Sequence, residues 1–479
     1  MFRRMLKRQL IEDILTYRFL VSLVLVLVAI VIFSLVFTGH YHNLQDAYAK
    51  ARTQNDDNLK EFAKSPSENL MSASQSFLLK PKPELFISEA YEENIPQGFF
   101  FRASQHSLQV LSPKEETAGA QFHRSISKKE KLADVLTYSP DLTFIVQFLM
   151  SLFALILAFD AVTGEKEKGT LRLIYSNPVK RAYLVLAKYI SALFTLGIVL
   201  FIGLILSLIL LNVSSEVSFS SSIFVSVSLF FLASIFYLST FILFGISCSV
   251  SSHSSRNSLV LCLLVWVFLV IVFPKSTGMF LTLKRFDVPT EEEINQMAQK
   301  ASIETGGRLE KRLPADYGSN YEKYRRSEIR LKADAEIDKS GQDVLDYYLR
   351  KKLAAIEEVR KVNFFSPASL FEYSASSVAG TGLFHFESLW NQIRRYENDF
   401  LSFVKNESSV LEKGSFFYLT YDTISNKPID FNSIPKFEDK NSGPGERLKD
   451  AFPYISLLAL YNLFLFAFVF YKFQNYDVR

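Results

Sequence analysis

Six long stretches of this chain carry no Asp, Glu, Lys or Arg, and nothing else in the sequence restricts its fold as much. They are Phe19–Gly39, Leu142–Phe159, Tyr189–Ser215, Val217–Ser255, Asn257–Pro274 and Ala451–Tyr471. A helix needs about 20 apolar residues to cross about 30 Å of hydrocarbon, and a charge near its centre is expensive there. Bulk composition hides the pattern: 49% of residues are hydrophobic, yet 21% are charged. The two kinds are segregated along the chain, as in a membrane protein with large water-exposed loops. Six spans are therefore predicted, at 19–39, 142–159, 189–212, 223–250, 257–274 and 451–472. Pro274 closes the fifth, because proline lacks the N–H that would continue a helix. The first run is too long for a signal core and lacks a small-residue cleavage site, so a retained anchor is expected.

Short loops keep Lys and Arg on the cytoplasmic side. Arg3, Arg4, Lys7, Arg8 and Arg18 precede the first span. Lys166, Lys168, Arg172, Lys180, Arg181 and Lys188 follow the second, Arg256 follows the fourth, and Lys472 and Arg479 end the chain. With six spans all of these fall on one side, which predicts a multi-pass protein with both termini, including the tail 473–479, in the cytoplasm. The two long loops, 40–141 and 275–450, then lie outside. A net charge of +4 with no basic stripe gives no reason to expect a nucleic-acid partner. Cys248 and Cys262 both sit in apolar runs, so no disulfide framework staples the loops.

Between the spans the composition varies. In 1–18 the spacing of Met5, Leu6, Leu10, Ile11, Ile14 and Leu15 puts an apolar stripe on one helix face. An amphipathic helix in the headgroup plane is predicted, with a plain extension of the first span as the alternative. The first outer loop starts helical over Leu44–Phe62. It then turns mixed, with Pro66, Pro81, Pro83 and Pro96 and strand-like pieces at Glu84–Ser88 and Gly98–Phe101. In the second loop, Thr290–Lys361 has a helical composition with breakers at Gly306, Gly307, Pro314 and Gly341, which predicts two or three long helices forming a hairpin. Phe364–Phe386 is apolar but too broken to span, and is expected on the membrane surface or the outer ends of the spans. Glu387–Lys405 reads as helix and 406–449 as loop, with short strands around Phe416–Tyr421. The predicted fold class is an all-α membrane protein with six transmembrane helices, plus a mostly helical α+β extracytoplasmic domain made from the two long loops.

The loop 160–188 holds the candidate functional residues. It reads Asp160-Ala161-Val162-Thr163-Gly164-Glu165-Lys166-Glu167-Lys168-Gly169-Thr170-Leu171-Arg172, then Ser176-Asn177-Pro178-Val179-Lys180-Arg181. A short helix, Leu171–Tyr175, is predicted between Gly169-Thr170 and Asn177-Pro178, followed by an amphipathic helix into the third span. Spacing alone fits an ordinary charged inner loop equally well. The run Gly-Glu-Lys-Glu-Lys-Gly-Thr-Leu, with Pro-Val-Lys-Arg after it, resembles the loop after the second span of ABC-2-type transporter permeases. It is most similar to the branch with large outer loops that includes permeases of nitrous-oxide-reductase maturation and of gliding motility. The resemblance implies that Gly164, Glu165, Glu167, Gly169, Thr170 and Leu171 form a coupling helix docking on a separate ABC ATPase. It also implies an exporter in the bacterial inner membrane, a dimer of two identical or related permeases, and an N-terminal in-plane helix. Ser366–Gly382 resembles a segment after the fifth span in large-loop members. Close glycine backbones, alternating charges and a short rigid helix suit a part that passes an ATPase's closure to the spans.

Gly164 and Gly169-Thr170 mimic part of a phosphate-binding loop, but Thr170 stands where the lysine belongs and no buried strand precedes. This chain is thus expected to bind no cofactor itself, with ATP and Mg on the partner ATPase. No metal site is expected: His40 and His42 flank Tyr41 without further ligands, and His253 and His385 read as structural. No catalytic set is visible, and uncharged span centres argue against an ion-coupled path. Two alternatives remain. One is an ATPase-driven machine that acts on an envelope partner through the large outer domain. The other is a receptor or sensor, for which the cytoplasmic mass is too small to hold an output domain.

Overall fold

The computed structural model describes residues 2–64, 74–78, 80–89, 98–102, 107–111, 141–171, 181–213, 221–276, 291–317, 328–407, 429–440 and 443–474. Among these, six helices are long and apolar enough to cross a membrane, matching the six predicted spans. The chain starts with α1 (Phe2–Ile14) and, after a turn at Leu15 and Thr16, enters α2 (Tyr17–Ala63). α2 has 47 residues, so it is about 70 Å long, more than twice the hydrocarbon thickness. Leu44–Phe62, read from sequence as a loop helix, is the unbroken continuation of the first span. Val26, Ile30, Phe33, Phe37 and Tyr41 are buried along α2, whereas Leu20, Val24, Val28 and Leu35 are exposed, as for a helix with one side toward lipid. α1 packs against the third span, with Phe2 and Tyr183 ring centroids 5.6 Å apart; Ile11 and Ile14 of α1, and Leu15 of the turn after it, are exposed.

The second span contains a π-helical segment, Ile145–Met150, followed by α3 (Ser151–Ala158), a turn and the short α4 (Thr163–Glu167). α5 (Arg181–Val213) is the third span and α6 (Ser221–Ser251) the fourth. The fifth is α7 (Ser255–Trp266) with a second π segment, Val267–Val272. A π turn widens a helix and disturbs its carbonyl pairing. Neighbours meet these carbonyls here: the Tyr237 hydroxyl donates to Gln147 O at 2.8 Å, and the Ser366 hydroxyl to Leu269 O at 2.7 Å. The Trp266 indole N–H donates to Ser151 Oγ at 2.8 Å and ties the two spans together.

Four helices follow the fifth span: α8 (Glu291–Tyr317), α9 (Glu328–Asn363), α10 (Pro367–Ala379) and α11 (Leu383–Glu407); α12 (Pro444–Gln474) is the sixth span. α10 has clear local causes. Ser366 caps its start, Pro367 occupies the first turn, and Gly380 ends it at φ +69°. Twelve of the thirteen residues of α10 are buried, all but the half-buried Glu372. It is seated between α6 and α12, with Phe371 stacked on Tyr237 at 4.5 Å. Its run of Ala and Ser permits that depth, because small side chains let backbones approach and hydroxyls bond within the helix.

Two sequence expectations are corrected in the loop domain. Gly306, Gly307, Pro314 and Gly341 do not break helices: α8 and α9 run through them. A Cβ on Gly341 would lie 3.2 Å from Ala298 O, and one on Gly306 3.4 Å from Ile337 Cδ1. These glycines mark where the hairpin's helices touch, and that contact outweighs glycine's cost of about 1 kcal/mol in a helix. Glu84–Ser88 is not a strand but a 3-10 turn, Pro83–Phe86, with its neighbours. Pro83 starts the turn, and burial of Leu85, Phe86 and Ile87 wedges it against the spans. Strands β1 (Ser74–Leu78), β2 (Gly98–Arg102) and β3 (Ser107–Leu111) form an antiparallel meander in which Gln75 faces Phe101. A separate core joins Leu59 of α2, Phe77 of β1, Leu345, Leu349, Leu389, Ile393, Phe400 and Ile434. Pro66, Pro96, Ser176 to Lys180, Phe416–Tyr421 and the last residue, Arg479, lie outside the described residues.

A buried polar knot joins loop domain and spans. Arg447 in the first turn of α12 donates to Glu84 at 2.8 Å, with both side chains at most 5% exposed. Ser222 of α6 donates to the same oxygen at 2.9 Å. Burial pushes the Glu84 carboxyl up, but the Arg447 charge and hydrogen bond outweigh it and leave it below its ordinary value. The Lys82 ammonium, pushed down to about 8 chiefly by burial, donates to Gly380 O at 3.1 Å and contacts His385 Nδ1 at 3.0 Å. His385 is held down to about 3 by burial, then by the Lys82 and Arg447 charges. Its neutral ring therefore accepts through Nδ1.

This knot makes the fold acid-sensitive. The folded His385 value lies below the unfolded one of about 6.5, so below that pH the unfolded chain takes up a proton that the folded chain refuses. Its contribution is present above pH 6.5 and is lost as pH falls toward 3; at pH 5 the loss is about 2 kcal/mol. His385→Gln, which keeps an acceptor for Lys82, is expected to flatten the fall in thermal midpoint between pH 7 and pH 5 in detergent. An unchanged slope contradicts the assignment.

A second prediction concerns packing of spans two and four. A Cβ on Gly245 of α6 would stand 2.6 Å from Ala158 Cβ and 3.4 Å from the Ala158 backbone. Neither atom belongs to a flexible side chain. Gly245→Ala is expected to destabilise by about 1–3 kcal/mol through overpacking, read as a lower unfolding midpoint; a gain in stability contradicts the contact.

Candidate functional site

The residues singled out by sequence lie in and after α4, at the same end of the bundle as α1. The end of α3 is tethered first. Asp160 Oδ2 pairs with Arg18 of α2 at 2.8 Å, and the guanidinium lies 5.0 Å from the Phe159 ring centre. The Ser258 hydroxyl of α7 donates to Phe159 O at 2.6 Å. α4 begins in a buried position, with Thr163 0% exposed. A helix start leaves backbone N–H groups without intrahelical partners. Ser249 of α6 meets them, accepting from Val162 N at 2.9 Å and Thr163 N at 3.1 Å.

The glutamates turn toward their own chain. Glu165 Oε1 accepts from Lys188 Nζ of α5 at 3.0 Å, and Glu165 Oε2 accepts from the Thr170 hydroxyl. The Thr170 hydroxyl also reaches Glu165 O at 3.1 Å. Glu167, although exposed, accepts from Ser255 N at 2.7 Å and Ser255 Oγ at 2.8 Å. That places a carboxylate on the N-terminus of α7, where the helix dipole favours it. Gly169, at φ +71°, supplies the left-handed turn that ends α4 and lets Thr170 fold back. Gly164 is half-buried, with its Cβ position 3.5 Å from Asp160 Cβ, and Leu171 is 1% exposed in the bundle core. Glu167, Lys168 and Gly169 present the exposed surface.

α1 joins the same network. Asp13 accepts from the Ser191 hydroxyl of α5 and from Gln9 Nε2 at 2.8 Å. Burial lifts the Asp13 carboxyl above its ordinary value despite Ser191, Gln9 and the nearby Lys188 charge. Through Arg18, Lys188, Ser249 and Ser255 the segment 159–171 is bonded to spans one, three, four and five. Displacing α4 therefore displaces the ends of several spans together. Among the described residues no group of three or more His, Cys, Asp or Glu could hold a metal ion. His40 contacts Glu89 at 2.6 Å and His42 contacts Asp46 at 3.6 Å.

Sequence reading brought together Gly164 to Leu171 but missed the partners. Arg18 and Asp160 had a usable signal, since each is the charge that bounds an uncharged run. Lys188, which bounds the third run, had the same signal, whereas Ser249 and Ser255 had none: their role comes from contacts across more than 80 residues. The predicted helix Leu171–Tyr175 falls almost wholly outside the described residues, which show only Thr170 and Leu171 as helical.

A family model described as ABC-2 family transporter protein matches residues 11–478. The chain is also similar to a probable ABC transporter permease protein NosY from Pseudomonas aeruginosa, with 44% identity over 62 residues, 13% of this chain and 22% of that protein. A protein of the same description from Stutzerimonas stutzeri is 30% identical over 132 residues, 28% of this chain and 48% of that protein. The matched segments thus cover less than half of either relative.

Proposed function

Because the chain belongs to the ABC-2 family of transporter proteins, we propose that it is the permease subunit of an ATP-binding-cassette exporter, driven by a separate ATPase that docks on α4 and the turn after it. The observation that carries this reading is the bonding of segment 159–171 to four other spans. A docked motor that moves α4 then moves the bundle as a rigid body rather than bending a loop. ATP and Mg belong to the motor chain, since this sequence lacks a phosphate-binding loop. The α1 end faces the cytoplasm, where positive charges in short loops favour it. The membrane is a bacterial inner membrane, and a second copy or a related permease completes the path.

A second reading has its own observation. α2 runs without interruption from the first span into the core of the loop domain. A helix of that length is a mast able to carry motion outward, as a machine acting on an envelope partner requires.

The test is co-purification. Tagged permease, extracted in mild detergent from its native host, is expected to bring down a nucleotide-binding ATPase in stoichiometric amount. Recovery of intact permease without any ATPase overturns the proposal.

A further inference from the structure

The loop domain contains a small cavity that the transport reading does not use. It has a volume of about 70 Å³ and lies between the outward extension of α2, strand β1 and residues 436–438. Tyr48 to Leu59 stand 9 to 20 residues beyond Gly39, roughly 15–30 Å along α2 from its uncharged run, so the cavity opens to water rather than lipid. Phe77, Phe437 and Leu59 supply its apolar wall.

One polar group borders this cavity with its hydrogen-bonding capacity unspent. Gln75 is 2% exposed, and its Nε2 has no partner among the described residues. Its Oε1 lies 2.7 Å from the Tyr396 hydroxyl, which also lies 3.2 Å from Pro435 O. Turning the amide over changes which atom is left over, not the fact that one is. A buried amide donor without a partner costs about 1–3 kcal/mol, so a ligand acceptor placed there gains by meeting it.

The rim carries matched charges. Arg52 and Asp56 lie one turn apart on the same face of α2. Lys436 and Glu438 alternate on the opposing segment. Each wall thus offers one cation and one anion, which suits a small zwitterion better than a net ion. At about 10–15 Å³ per water-sized position, the volume admits roughly five to seven heavy atoms.

We propose that this cavity binds a small α-amino acid of glycine or alanine size, its carboxylate toward Gln75, Arg52 and Lys436 and its ammonium toward Asp56 and Glu438. The site does not depend on docking of a motor, and its test is separate. Full-length protein in nanodiscs is titrated calorimetrically with glycine, L-alanine and L-serine, and separately with acetate and methylammonium, at millimolar concentrations. Saturable binding of an amino acid is expected, with neither half-molecule binding in the same range. Arg52→Ala and Gln75→Leu are each expected to weaken it about tenfold or more, the loss of one hydrogen bond to a charged group. Arg52 and Lys436 are exposed, so Arg52→Ala and Lys436→Ala remain informative if Gln75→Leu fails to fold. No binding by any amino acid overturns the proposal, as does binding unchanged in Arg52→Ala and Lys436→Ala; the cavity then holds water alone.

Discussion

Arg447→Leu is expected to cost about 3–5 kcal/mol of stability, the loss typical when one member of a buried ion pair is removed. The variant leaves the Glu84 carboxylate with the Ser222 hydroxyl and without its counter-charge, 5% exposed at the head of the bundle. Desolvation of that charge is then uncompensated. Arg447→Leu combined with Glu84→Gln removes both charges, and the pair should recover most of the loss. Urea or thermal unfolding in detergent, run as a four-member cycle, checks this. A single variant within about 1 kcal/mol of the native protein would show that the pair contributes little, as a surface bridge does. Limited proteolysis adds a local reading, because this contact ties the Lys82–Ser88 wedge to α12. Its loss should expose the loop domain to cleavage before the spans.

Reversing both charges of the proposed coupling segment, Glu165→Arg with Glu167→Arg, should abolish transport-linked stimulation of the ATPase, a drop of about tenfold or more on the scale of typical coupling energies. Two causes act together. Arg at 165 meets Lys188 of α5 and loses the Thr170 hydroxyl, so α4 detaches from the third span. Arg at 167 faces the N-terminus of α7, where a positive charge is repelled by the helix dipole. Glu165→Gln with Glu167→Gln separates loss of charge from its reversal: each amide keeps one acceptor oxygen, for Lys188 at 165 and for Ser255 N at 167, so stimulation should fall less than in the doubly reversed protein. The readout is ATP hydrolysis by the reconstituted complex with and without permease. Stimulation at the native level in the doubly reversed protein would remove the segment from the mechanism.

These two sites differ in how far sequence exposes them. The run from Gly164 to Leu171 was legible because charge alternation and glycine spacing are local, and the resemblance it carried is matched by the family found across residues 11–478. What the run does was not. As surface charges its glutamates would point at a docking groove, whereas the structure spends them on Lys188 and Ser255. The exposed face of the run is narrower, at Glu167, Lys168 and Gly169. The Glu84–Arg447 pair gave no warning, since its members lie 363 positions apart. Gly341 misled in the opposite direction, because a helix breaker and a helix-contact residue are the same letter.

Sequence alone determined the six spans; it also holds Ser366 and Gly380, the residues that cap α10, although it did not announce that helix. Each rests on a sum over neighbouring residues: transfer of about twenty side chains into hydrocarbon, or a cap meeting backbone groups two or three positions away. Only the tertiary structure decided that α2 continues unbroken into the loop domain's core and that α10 sinks among the spans. It also decided which charges are buried and paired. Those outcomes depend on desolvation and on partners brought close by the whole chain, and a carboxylate's worth changes sign with whether a cation stands within about 4 Å of it.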